Sequence, residues 1–285
     1  MIEPLMILIG THYHPGAPDA RRRQAAASES LRALKNVRLV NLQFAEGARL
    51  EMEGFETVAA LRNDSRKASG IDGKRNPITR EMCMVLADIA TRSNLPYFML
   101  VNSDEMVLPA LVDVVQDRKL EGYVFSRMEF SGETGRETGM TPGAHGCFVF
   151  QTRWWCDHDR LFRPYVIGEA YWDNLYATIL LCHARALLLN RTGEFVRHEA
   201  HPRIWPDSPF LGYTRYLASL DALYLAIWHQ YIARLSELRD AGASVAEEMA
   251  LQQQAFKFHP STSTRLWHVG RCLKAWARFR AGKIF

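Results

Sequence analysis

The sequence predicts an α/β protein: a mostly parallel sheet covered by helices, followed by a helical C-terminal region. Three observations lead there. Two short apolar runs, LMILI from Leu5 and YFMLV from Tyr97, stop abruptly at polar turn formers, as strands buried on both faces do. The segments between them carry apolar residues at helical spacing, the alternation of βαβ units. Of the 285 side chains, 48% are hydrophobic, enough to fill a large core.

The elements follow in order. Leu5 to Ile9 reads as a first strand ending in Gly10-Thr11, the Ala-, Arg- and Ser-rich stretch from Pro18 to Lys35 as a helix, and Val37 to Phe44 as a second strand. Arg62 to Pro77 is polar and contains glycine, so it reads as a loop. Ile78, Met82, Val85, Leu86 and Ile89 then share one helical face, leading into the Tyr97 strand, and Pro109 to Gln116 begins another helix. Tyr123 to Met128 and Cys147 to Gln151 read as strands. The stretch between them, Ser131 to Gly146, holds glycines at 132, 135, 139, 143 and 146 and reads as a mobile loop suited to a lid. Ile167 to Leu189 reads as a helix, Glu194 to His198 as a short strand, and Phe210 to Leu238 as one long helix. The division expected is an α/β domain over 1–212 and a helical extension over 213–285.

Five cysteines, an odd number without a C-x-x-C pair, point to neither a disulfide framework nor a cysteine zinc site, and so to a reducing compartment. Glu3 and Pro4 stand where a secretory leader has basic residues, and the apolar run after them is too short for one. The longest apolar stretch, Leu217 to Ala233, is interrupted by Asp221, His229 and Gln230, which suits a buried helix and not a membrane span. The formal charge of +4 is unevenly placed, because the last 37 residues, Met249 to Phe285, have no acid and carry Lys257, Arg265, Arg271, Lys274, Arg278, Arg280 and Lys283.

The strand from Tyr97 runs straight into Asn102-Ser103-Asp104-Glu105. In open α/β sheets ligands bind beyond the carboxyl ends of strands. Hard oxygen ligands here suit Mg²⁺ or Mn²⁺ on a diphosphate, with Asp104 as the ligand; the alternative is that Asn102 and Asp104 shape the turn or cap the following helix. The loop ahead of this strand is crowded with cations, of which Arg62, Lys74 and Arg75 are the candidates to neutralise a diphosphate.

The run PYFMLVNSDEMVLPALVDVV resembles the central strand, D-x-D-type motif and following segment of nucleotide-sugar glycosyltransferases with the GT-A fold. The resemblance extends over Leu5 to Trp205 in fold and order of motifs. Asn102 stands on the first acidic position of the motif and Asp104 on the second. The resemblance implies a GT-A-like sheet, a nucleotide-sugar donor held by Thr11, Asn102, Ser103 and Asp104 with the loop cations, and a divalent cation on Asp104. It also implies a base among the acids of VIGEAYWDNLY, where Glu169 and Asp173 lie four apart and would share a helix face. Asp173 is the first choice. Tyr171 and Trp172 beside them suit a sugar-stacking wall as well as a core. In the resembled class a histidine after the acceptor-side segment is a further metal ligand, which singles out His201 of the H-x-x-H pair with His198; a packing pair is the alternative.

The function expected is therefore glycosyl transfer to a hydroxyl acceptor, a glycan or lipid-linked saccharide of the cell envelope. Asn102 in place of an acid leaves open a second class, a catalytically inactive binding or scaffolding subunit. A third is a metal-dependent amidohydrolase barrel, suggested by His12 and His14 directly after the first strand. The C-terminal stretch places Leu266, Val269, Leu273 and Trp276 on one helical stripe beside basic residues, a candidate surface for anionic membrane; packing on its own domain or a partner explains the stripe equally. No nucleic-acid module accompanies these cations. The location expected is the cytosol, with the inner membrane face in reach of the tail.

Overall fold

The computed structural model describes residues 5–14, 16–189, 193–202, 205–257 and 274. The chain runs through β1 (Ile7–Thr11), α1 (Pro18–Arg32), β2 (Val37–Phe44), β3 (Glu56–Leu61), α2 (Ser65–Ser69), α3 (Thr79–Arg92), β4 (Tyr97–Val101), β5 (Glu105–Val107) and α4 (Pro109–Arg118). It continues through β6 (Gly122–Phe130), β7 (Glu137–Gln151), α5 (Thr152–His158), α6 (Trp172–His183), β8 (Ala186–Leu189), β9 (Val196–Glu199), α7 (Leu211–Leu220), α8 (Ala222–Asp240) and α9 (Val245–Ala255). The strands form one sheet in the order β3-β2-β1-β4-β7-β6-β9-β5, with β8 also beside β6. β3, β2, β1 and β4 run parallel, as do β8 and β9 with β6; β7 is antiparallel to both its neighbours and β5 to β9.

Strand alternation makes two cores. Leu8, Phe98 and Leu100 point to the side covered by α3, α6 and α8, while Ile7, Ile9, Tyr97, Met99 and Val101 point to the side of α1 and α4. Every residue of β4 is buried, which is why its sequence is apolar without alternation. Gly10 sits where α3 leans on β1, and a Cβ there would collide with Leu86. Among the described residues no helix is long and apolar enough to cross a membrane.

Four expectations are corrected. The glycine-rich stretch is not a loop: most of it belongs to β7, paired with β6 through several register shifts, and Gly135, Gly139 and Gly143 take positive φ along it. Glycine that signals flexibility in a sequence here serves irregular pairing, which is a normal use of it in strands. The long helix over 167–189 is only α6, because Gly168 and Tyr171 have left-handed φ values of 77° and 75° before it and the ALLL run after it joins the sheet beside β6. The helix over 210–238 is two, α7 and α8, meeting at Asp221, whose carboxylate accepts Arg163 Nε at 2.7 Å and the Tyr165 hydroxyl at 3.0 Å. Finally, β3 and the single-turn α2 stand in stretches where no element was expected; Asp64 caps α2 by accepting the backbone N–H groups of Arg66 and Lys67. The stripe of the basic tail lies outside the described residues; Lys274, which is described, is exposed.

Candidate active site

β1 and β4 end side by side, with Gly10 opposite Leu100, so the residues that follow them share one cleft. That cleft is a cavity of about 640 Å³, reached by His12 and His14 from β1 and by Asn102, Ser103 and Asp104 from β4. Backbone bonds from Asn102 N to Gly146 O (2.9 Å) and from Glu105 N to Asn102 O (3.3 Å) hold the turn, and Gln24 of α1 donates to Ser103 Oγ at 3.1 Å.

The pairing of β5 with β9 decides the centre of the site. It sets Glu105 opposite His198, and the neighbour Asp104 thereby meets two imidazoles. His198 Nε2 lies 3.5 Å and His201 Nε2 3.3 Å from the same Asp104 Oδ2. One ligand atom from each of the three falls within 4.8 Å of the others, close enough together to hold one metal ion. Burial opposes ionisation of Asp104, but hydrogen bonds from His198 and His201, with Arg127 nearby, outweigh it and hold the carboxyl far below its usual range. His201 is raised by its bond to Asp104; His198 is lowered, because burial outweighs the same bond.

Behind Asp104 a second layer is buried. Glu105 has no exposed surface, and burial raises its carboxyl to about 7 although Arg127 Nη1 donates to it at 3.2 Å. Asp173, at the start of α6, accepts the backbone N–H of Asn174 at 2.9 Å and of His145 at 3.4 Å. Among the described residues no cation is bonded to it, and burial lifts its carboxyl to about 6 against these bonds and Arg127. Its edge still opens on the cavity.

The expected site residues divide. Asn102, Ser103, Asp104, His201, Asp173, Glu169 and Lys74 do line one cavity. Glu169 is not on a helix with Asp173; it sits in the turn before α6, its Oε1 accepting Ser208 Oγ at 2.7 Å and its Oε2 unpartnered. Arg75 and Arg62 do not reach the cavity. Arg75 is engaged by Asp64 (2.9 Å) and Glu46 O (2.7 Å) and stacks on Phe44, while Arg62 stays exposed at the surface. Thr11 is fully buried behind the wall at the strand end. Lys74 instead contacts His14 at the cavity's edge. Trp172 is largely core, packed on Phe148 and Tyr176, and both it and the more exposed Tyr171 line the cavity. Arg127, Glu105 as its partner, and His145 were not anticipated. Arg127 and His145 sit in ordinary strand sequence, where nothing local marks a charge as buried; Glu105 belongs to the strand-end cluster at which a site is expected, but its pairing with Arg127 has no local signal. The sheet stays open from β3 to β5 among the described residues, so the amidohydrolase barrel is overturned.

No family model and no curated protein matches the chain. Among solved structures it is similar to residues 1–349 of TarS from S. aureus, at 10% identity over 98% of this chain and 92% of that one, with a TM-score of 0.47. It is also similar to GalNAc-T7 solved with UDP, GalNAc and Mn²⁺ (11% identity, 88% of this chain, 55% of that one, TM-score 0.41). A third is a glycosyltransferase involved in glycosylating the major capsid of PBCV-1 (9% identity, 70% and 96%, TM-score 0.37). Likeness this distant leaves the function to be read from the site's own residues.

Proposed function

We propose that the protein is a metal-dependent glycosyltransferase with a GT-A-like sheet, moving a sugar from a nucleotide-sugar donor to a hydroxyl acceptor. The observation that carries the reading is Asp104 at the carboxyl end of β4, sharing one cavity with two imidazoles and, deeper in, with a carboxylate raised to about 6. A carboxylate and two imidazoles on one point fit a divalent cation, and the mixed donor set favours Mn²⁺ over Mg²⁺, which prefers oxygen alone. Asp104, His198 and His201 would hold it. Bound there, the ion supplies positive charge against the diphosphate leaving group.

The chain's own groups account for the rest. Lys74 at the rim offers a cation to the phosphates. Asp173, ionised above about pH 6, accepts the proton of the acceptor hydroxyl as its oxygen attacks the anomeric carbon and the bond to the diphosphate breaks, a displacement that inverts the configuration. Tyr171 lends an apolar face to a sugar ring. Asn102 adds an amide in place of a second acid. The acceptor in this reading is a glycan or a lipid-linked saccharide, and the basic tail is a candidate for holding the enzyme at a membrane surface. Donor turnover over a panel of UDP-, GDP- and CMP-sugars with Mn²⁺ tests it. Turnover of one donor, lost with EDTA, supports the reading; tight donor binding without turnover by any acceptor points to the inactive binding subunit, and no binding at all sinks both.

A further inference from the structure

This inference rests on the glycosyl-transfer reading and concerns the charge of the transferred sugar. Arg127 enters the cavity from β6 with its guanidinium held from behind, Nη1 donating to Glu105 Oε1 at 3.2 Å and Nη2 to Glu129 Oε1 at 3.3 Å. Glu105 is fully buried and its Oε2 has no partner. It fits only because position 146 is glycine, where a Cβ would collide with Glu105 Oε1 and Asn102 Nδ2. The two carboxyl groups take one N–H from each Nη, and each Nη keeps another that neither takes. Such donors suit hydroxyl and amide oxygens.

The surrounding wall points the same way. Asp104, Glu169, Asp173 and Asp207 line the cavity, and apart from histidines the cations among its described lining residues are Arg127 and Lys74. A divalent ion held by Asp104, His198 and His201 would offset the charge of a diphosphate, so the surface left to the sugar is net negative. We propose that Arg127 donates hydrogen bonds to the hydroxyls of an uncharged donor sugar, that Glu105 is a positioning residue acting through it, and that the carboxylates around them exclude sugars bearing a carboxylate or phosphate.

Calorimetric titration of the full chain in Mn²⁺ reads this without turnover, using UDP-glucose against UDP-glucuronate, GDP-mannose against GDP-mannuronate, and CMP-sialate. Wild type is expected to bind the neutral member of one pair at least about tenfold more tightly than its acid. Glu129→Gln and the nearly isosteric Glu105→Gln each remove an acid that holds Arg127, and each is expected to shrink that ratio several-fold. A preference for an acidic sugar, CMP-sialate included, overturns the inference and leaves the transferase reading standing. So does an unchanged ratio in both folded variants. Should Glu105→Gln fail to fold, the ratio for Glu129→Gln decides alone. If no donor binds, the transferase reading fails and this inference with it.

Discussion

Asp104 and Asp173 face the same cavity with opposite electrostatics, and each difference can be measured. Two imidazoles and a guanidinium keep Asp104 ionised, so it is charged at any pH near neutral. Asp104→Ala is expected to abolish Mn²⁺-dependent transfer, a loss of about 10²-fold or more, with the circular dichroism spectrum unchanged. Wild-type turnover in that variant would remove the site assignment. Burial moves Asp173 from an ordinary 3.8 to about 6, and among the described residues no cation is bonded to it. The proposed role as base needs the ionised form, so kcat should fall tenfold per pH unit below about 6 and level off above. Asp173→Asn should lower turnover about 10²-fold with donor Kd little changed. The same shift has a stability consequence of fixed sign. The folded carboxyl holds its proton more tightly than the unfolded one, so its stabilisation is complete below about pH 4 and is lost as pH rises through 6. Asp173→Asn should therefore melt higher than wild type at pH 8, the gap closing toward pH 4; equal melting curves at both pH values would place the carboxyl in water. Asp104 and Asp173 were legible in the sequence because each follows a local signal, a strand end and an acid-aromatic cluster. Arg127 was not, nor was its pairing with Glu105, since a charged residue in a strand reads as solvated until its neighbours are known.

At the scale of elements, the site depends on how closely α3 and the hairpin approach the strands that end in the cavity. Gly10 lets Leu86 rest directly on β1, one residue before the strand's end. Gly10→Ala should cost about 1 to 3 kcal/mol in urea unfolding by overpacking that contact. A neutral result would mean that α3 can shift outward at little cost. The strands β1, β2, β4 and β6 were legible because fully buried strands need unbroken apolar runs. The β6–β7 hairpin was not, because glycine is as compatible with a bulged strand as with a loop and only cross-strand bonds tell them apart. The β8 segment misled for a related reason: ALLL suits a helix and a covered strand equally, and its pairing with β6 decides.

For the whole molecule, the three proposed ligands come from two separated stretches, so binding an ion there stabilises the tertiary arrangement that brings them together. Mn²⁺ at about a hundred times its Kd should add about 2.7 kcal/mol of stability, seen as a higher Tm that His201→Ala and His198→Ala both diminish. An unchanged wild-type Tm in Mn²⁺ would speak against the site. The sequence by itself determined the architecture, since hydrophobic period and strand-end chemistry are local properties of the chain. It also pointed to the carboxyl end of β4 as the place for chemistry. Only the tertiary structure decided which charges meet there. His198 joins Asp104 because β9 pairs with β5, Arg127 faces the cavity because of where β6 lies in the sheet, and Arg75 is withdrawn by Asp64. Burial and partner choice are properties of contacts between distant segments, and no spacing along the chain encodes them.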